Sequence, residues 1–276
     1  MFTRDELLRE ALSLDPLPAS STRLTRILAE EDWSLEDVAR TVALDEVLTG
    51  LVLRYANSAA CGTQQRITSV NQAVMHMGSG LVHSLALGLG LSRPMKSDQP
   101  VYGLGEGQLF RHSITSAIAI ENMRRVGKRP PAGCFIAALV HDVGKLVIGR
   151  KLRSMGIRLT SGNEERPWVE DEAEQLGIDH AELGGAIARA WELPEGVPEA
   201  IEHHHRAKDL EPGSARTIAQ FVAAADVVAH ALASDGSEDE RGIDPFATAQ
   251  LGLVPEMQVK VRESTRAMVD AVLKLY

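Results

Sequence analysis

The sequence predicts an all-α protein built as two helical lobes. Three observations carry that reading. Apolar residues recur at three- and four-residue spacing along most of the chain, no stretch alternates long enough to make a strand, and aromatic residues are only 4% of the total, which disfavours a β-sandwich.

The elements follow in order. "RDELLREAL" sets Leu7, Leu8, Ala11 and Leu12 on one helical face, and "STRLTRILAEE" repeats the pattern with Leu24, Ile27 and Leu28. In "DWSLEDVARTVAL", Ser34 has the chemistry of an N-cap, with Asp37 three residues on completing a capping box. "DEVLTGLVLRYANSAA" carries Val47, Leu48, Leu51, Val52 and Tyr55, and Asn57-Ser58 reads as helix termination and a turn. "TSVNQAVMHMGS" and "GLVHSLALGLGL" complete the first series. The Pro-, Gly- and polar-rich stretch from Ser92 to Gln108 reads as the joint between lobes, so we divide the chain into residues 1–95 and 96–276. Helices resume at "LFRHSITSAIAIENMRRV" and continue to a final one at "PEMQVKVRESTRAMVDAVLKL", interrupted by an acidic surface loop from Ser234.

The totals exclude several function classes. A 276-residue chain with 44% hydrophobic and 24% charged residues has a globular composition. A net charge of −9 argues against an extended nucleic-acid-binding face. Cys61 and Cys134 make no Cys-x-x-Cys pair and no disulfide framework, and reading them as reduced thiols leads to the expectation of a cytoplasmic protein. "MFTRDELLREALS" has no apolar core of the kind a signal peptide needs, and "LVHSLALGLGLS" is too short to span a bilayer, so no membrane association is expected.

The histidines are the chemical signal. "FIAALVHDVGKLVIG" puts His141 and Asp142 side by side in an apolar run, where a buried carboxylate needs a cation or several donors. His112 lies inside a helix with apolar faces, His180 starts another, and His203-His204-His205 ends a third. Asp226 interrupts "FVAAADVVAHAL", apolar on most sides. Each has a bland reading alone: a satisfied polar residue, a capping carboxylate, or a solvated helix end. Together, imidazoles and carboxylates without thiolates suit Fe, Mn, Zn, Ni or Mg, and helices can carry such ligands into a bundle core. A metal, a substrate and a local polar network all remain open on this pattern.

"HDVGK", with His112 upstream and Asp226 downstream, resembles the HD superfamily of metal-dependent phosphohydrolases. The resemblance implies an HD-like bundle in the second lobe and a primary metal held by His112, His141, Asp142 and Asp226. "HAELGGAIARAWELPEGVPEAIEHHHR" is similar to the region that adds a second ion, implying His180, His204 and His205 as its ligands, while His203 takes a position usually filled by another residue. Lys145 matches the lysine that faces a substrate phosphate, so Asp142 and Lys145 are the implied catalytic pair. The N-terminal half, with "RYANSA" and "ITSVNQAVMHMG", resembles the HDOD family, the HD-related output domain of bacterial signalling proteins, and the likeness runs over roughly residues 10 to 275.

Two functions follow as expectations. One is a signalling module with an HD-type metal site, acting through a partner protein or a small phosphorylated ligand. The other is a metal-dependent hydrolase of a phosphoester, such as a nucleotide, using one or two divalent ions. The Gly-Tyr-Pro that follows the His pair in cyclic-dinucleotide phosphodiesterases is absent here, where His205 leads into "RAKDLEPGSAR". That argues against cyclic-di-GMP as substrate.

Overall fold

The computed structural model describes residues 3–15, 17–30, 32–58, 61, 65–156, 168–233 and 245–275. Among these the protein is all-α, and the only β pairing is a single antiparallel bridge between Gln99 and Leu104. The helices are α1 (Arg4–Ala11), α2 (Ala19–Ala29), α3 (Leu35–Ala43), α4 (Glu46–Ala56), α5 (Val70–Met77), α6 (Ser79–Lys96), α7 (Gln108–Arg125), α8 (Cys134–Val140), α9 (Gly144–Ser154), α10 (Trp168–Leu176), α11 (His180–Ala190), α12 (Val197–Glu202), α13 (Ser214–Ala233), α14 (Pro245–Gln250) and α15 (Pro255–Leu273).

Local chemistry places many of the boundaries. Ser34 caps α3 with the reciprocal Asp37 contact that the sequence suggests. Asn57 ends α4 and ties down the loop beyond it: its side chain donates to the Leu53 and Ile67 carbonyls and accepts from the Ile67 N–H. α1 stops at Ala11, so Leu12 falls off the apolar face and is exposed. α6 runs past the expected end at Ser92 to Lys96, with Pro94 inside its last turn. A proline removes one helical hydrogen bond, and the fully buried Met95 anchors that turn in the core.

α2 to α6 pack on one another, and α7 is the central strut, touching α6, α8, α13 and α15. Buried side chains from both ends of the chain merge into one apolar cluster. Besides α6, which packs on α7 and α8, two further segments tie the first part of the chain to the second. α1 packs on α9 and α11, with Leu7 and Ala11 buried and Arg4 paired to Glu182. The stretch from Ser92 to Gln108 contains a 3-10 turn, Pro100–Tyr102, packed on α9, with Gln99, Val101 and Tyr102 buried. The acidic loop expected from Ser234 lies outside the described residues.

Close helix approaches bring the functional segments together. A Cβ on Gly144 would collide with the backbone carbonyl of His180, so only glycine lets the start of α9 lie against the start of α11. A Cβ on Gly185 would press within 3.1 Å of the Pro198 carbonyl, which keeps α11 and α12 in tight contact.

Candidate metal centre

Five segments deliver the site. His112 comes from α7, and His141 and Asp142 from the turn between α8 and α9. His180 is the first residue of α11, His204 and His205 follow α12, and Asp226 lies in α13. The histidine triplet closes α12, as the sequence suggests. His203 caps α12, and the next two residues lie in the turn beyond it. Successive residues of a helix diverge by about 100°, and leaving the helix lets His204 and His205 both face inward.

The donors fall into two groups joined by one carboxylate. In the first, His112 Nε2 lies 2.8 Å from Asp226 Oδ1 and 3.2 Å from His141 Nε2. His141 Nε2 is 3.5 Å from Asp226 Oδ1 and 3.6 Å from Asp142 Oδ2. In the second, His180 Nε2 lies 3.1 Å from His205 Nε2 and 3.3 Å from Asp142 Oδ1. His180, His204 and His205 offer donor atoms within 4.8 Å of one another, as do His112, His141 and Asp226, and also His141, Asp142 and His204. Asp142 thus turns one oxygen to each group.

Those spacings are informative. Ligand bonds of about 2.0–2.2 Å put neighbouring donors of a tetrahedral or octahedral shell roughly 2.8–3.6 Å apart, and the measured separations cover that range. The tautomers point the same way. His141 Nδ1 faces the Ala138 carbonyl at 2.8 Å, His204 Nδ1 the Ile201 carbonyl at 2.6 Å, and His180 Nδ1 the Glu172 carboxylate at 2.7 Å. With Nδ1–H committed to an acceptor, each Nε2 carries a lone pair into the cluster. His204 Nε2 is buried there with no hydrogen-bond partner.

The electrostatics match a ligand set. Burial and the neighbouring His205 hold His204 well below the ordinary imidazole range, and burial with His180 pushes His205 down to about 3. Burial also lowers His112, despite Asp226 beside it. For His141 burial works against the charged ring, but Asp142 and Asp226 outweigh it and raise its pKa. Burial disfavours ionised Asp142, yet Lys145 and His141 hold its carboxyl well below the usual range, and His230 and His112 do the same for buried Asp226. Lys145 Nζ sits 2.7 Å from Asp142 Oδ2 and 5.7 Å from the centre of the Tyr102 ring. Beside the buried carboxylates Asp142, Glu172 and Asp226, Lys145 supplies the one ammonium, and the remaining compensating charge comes from protonated histidines or from a bound cation in their place.

The HDOD domain model matches residues 14–207. The chain belongs to the HDOD family. A Treponema pallidum (strain Nichols) protein of uncharacterised function is 28% identical over 193 residues, which is 68% of this chain and 37% of that protein, so the chain spans well under half of its curated relative. Among solved structures, a candidate metal-dependent phosphohydrolase from Shewanella amazonensis SB2B superposes with a TM-score of 0.64 at 20% identity, over 97% of this chain and 95% of that one. An HDOD domain protein of unknown function from Geobacter sulfurreducens gives 0.62 at 24% identity, over 95% and 98%. A candidate signal transduction protein from Marinobacter aquaeolei VT8 gives 0.68 at 22%, over 95% of this chain and 60% of that one. At these identities the superpositions establish the HDOD fold.

Every residue singled out from the sequence, His112, His141, Asp142, Lys145, His180, His204, His205 and Asp226, stands in or beside this cluster. His203 points elsewhere, with Nδ1 on the Glu199 carbonyl. Two site residues escape sequence reasoning. Glu172 is fully buried in α10, and one of its oxygens takes both the backbone N–H and Nδ1 of His180, each at 2.7 Å. Its signal is a carboxylate on the apolar face formed with Val169 and Leu176. His230 lies one turn beyond Asp226, with Nε2 3.4 Å from Asp226 Oδ1, and i,i+4 spacing is the clue that places it there.

Proposed function

We propose that this HDOD chain is a signal-transduction module whose His/Asp cluster holds one or two divalent ions and binds a partner protein or a small phosphorylated ligand. The carrying observation is the set of inward Nε2 lone pairs of His141, His180 and His204 beside a surplus of buried carboxylates. A metal-free network could let His112 and His205 donate to their neighbours, but it leaves His204 Nε2 bare, at a cost of about 1–3 kcal/mol. His112, His141, Asp142 and Asp226 would hold one ion and His180, His204 and His205, with Asp142 shared, a second. Fe, Mn, Zn, Ni and Mg all suit imidazole and carboxylate donors. The lobe division at 1–95 and 96–276 and a cytoplasmic location belong to this proposal. Among the described residues, no single helix is long and apolar enough to cross a membrane.

Phosphoester hydrolysis is the second reading, favoured by Lys145. Its ammonium, buried against Asp142, is placed to stabilise phosphate charge, and buried apolar side chains of α8 and α9 back it. A bound divalent ion would supply Lewis-acid polarisation of a phosphoryl oxygen and a lowered pKa for water. Tag-free protein loaded with Mn or Fe separates the readings. Chelator-sensitive binding of a phosphorylated ligand without turnover supports the module. Turnover of a generic phosphodiester that disappears in Asp142→Ala supports the hydrolase. Neither binding nor turnover by fully loaded protein contradicts both uses of the site and leaves only partner docking.

A further inference from the structure

The three imidazoles whose tautomers are fixed are not supported alike. His141 and His204 each rest Nδ1 on a neutral backbone carbonyl, of Ala138 and Ile201. His180 alone rests on a charged group. Glu172 is fully buried, and its Oε2 accepts from both the backbone N–H and Nδ1 of His180. A carboxylate behind an imidazole fixes the ring and strengthens the opposite nitrogen as a donor, because the ring's developing positive charge is compensated through the hydrogen bond. Glu172 is itself held in place: its helix buries Val169 and Leu176, and the Tyr102 phenol beside it is pushed well above its usual pKa by burial and by this carboxylate. Tyr102 is in turn braced edge-on by Trp168, with ring centres 5.4 Å apart. The arrangement reaches only one of the two donor groups, since His112 and His141 lie on the other side of Asp142.

We propose that Glu172 is a positioning residue that sets the ion affinity of the His180, His204 and His205 group independently of the His112, His141 and Asp226 group. The inference rests on the metal-binding reading above. Its consequence is two ions of separable affinity, with Glu172 acting on one of them. Glu172→Gln keeps the shape and one accepting oxygen but removes the charge. Glu172→Asp keeps the charge but withdraws it by one methylene.

The test is a titration of metal-free protein with Co(II), followed by calorimetry and by the visible spectrum of the bound ion. In the wild type two binding steps are expected. In Glu172→Gln one step should weaken by roughly 10- to 100-fold while the other keeps its affinity and spectrum, and Glu172→Asp should weaken the same step. His112→Ala should remove the other step instead. Wild-type two-step binding that Glu172→Gln leaves untouched, or weakens equally at both steps, overturns the proposal while leaving the metal site standing. A wild type that binds no Co(II) overturns the metal reading and the proposal together. A second measurement needs no metal: long-range proton–nitrogen NMR of the metal-free wild type should find the His180 proton on Nδ1, and a proton on Nε2 alone would refute the assignment.

Discussion

His83 in α6 and His204 beyond α12 are both buried, 4% and 1% exposed, yet the protein satisfies them in opposite ways. His83 Nε2 meets one hydroxyl, Thr25 Oγ1, at 2.7 Å, and burial pushes its pKa down to about 3. It is a neutral ring with a neutral partner in an apolar wall. His204 is surrounded by other imidazoles and by Asp142, and its inward nitrogen has no partner. Burial of a histidine therefore says little about function. A surplus of acceptors over donors says more, because each unfilled buried lone pair costs free energy until a cation, a proton or a hydrogen-bond donor fills it.

The sharpest way to break the comparison is to remove the cation. A strong chelator should lower the wild-type melting temperature, since an ion present at 100 times its dissociation constant contributes about 2.7 kcal/mol. Asp142→Ala, which takes a ligand from both groups, should be less stable than the wild type and indifferent to chelator. His83→Leu should keep the full chelator response. Equal chelator sensitivity in the wild type and Asp142→Ala would contradict the assignment of Asp142.

Gly144→Ala tests whether the helix approach builds the site. The new methyl meets the His180 carbonyl, and relieving that overlap should cost about 1–3 kcal/mol while pushing His180 away from Asp142. Denaturant melts should register the loss, and metal affinity should fall with it. Wild-type stability in this variant would mean that the two helix starts separate freely.

Acid separates the histidine environments by another route. The folded-state pKa of His83 lies below the unfolded value of about 6.5, so its burial contributes stability that is complete above that pH. The contribution is lost as pH falls from about 6.5 toward 3, by up to about 1.4 kcal/mol per pH unit. His83→Leu should flatten the stability–pH curve of the metal-free protein in that window, with Thr25 Oγ1 still donating to the Ser21 carbonyl. An unchanged slope would show that His83 is hydrated and titrates normally. The smallest effect is expected for His203→Ala. Its ring points away from the cluster, so ion affinity should be unchanged and stability should move by no more than about 0.5 kcal/mol.

Much of this was legible in the sequence, for identifiable reasons. The all-α class follows from periodicity, which survives whatever the tertiary contacts are. The convergence of His112, His141, Asp142 and Asp226 could be anticipated from the resemblance of "HDVGK" and its flanking residues to the HD superfamily, with the apolar surroundings of Asp142 and Asp226 agreeing. Glu172 was hidden because Asp171, Glu172 and Glu174 look alike in a charged helix: Asp171 and Glu172 are both buried, and nothing local tells which of them meets His180. Tyr102 and Gln99 were hidden for the converse reason. They lie in a Pro- and Gly-rich stretch that reads as a solvent-exposed joint, yet the chain folds it against α9. The packing of α1 on α9 and α11 has no local signal either, since an amphipathic helix specifies that it must be covered and not by what.

The central claim is that the cluster is a metal centre rather than a polar network. It is tested most directly by growing crystals of tag-free protein refilled with Mn or Zn and collecting anomalous diffraction at the absorption edge of that metal. One or two anomalous peaks are expected inside the cluster, the first among His112, His141, Asp142 and Asp226, the second among His180, His204, His205 and Asp142. An empty cluster in refilled crystals, with water alone between the imidazoles, would contradict it.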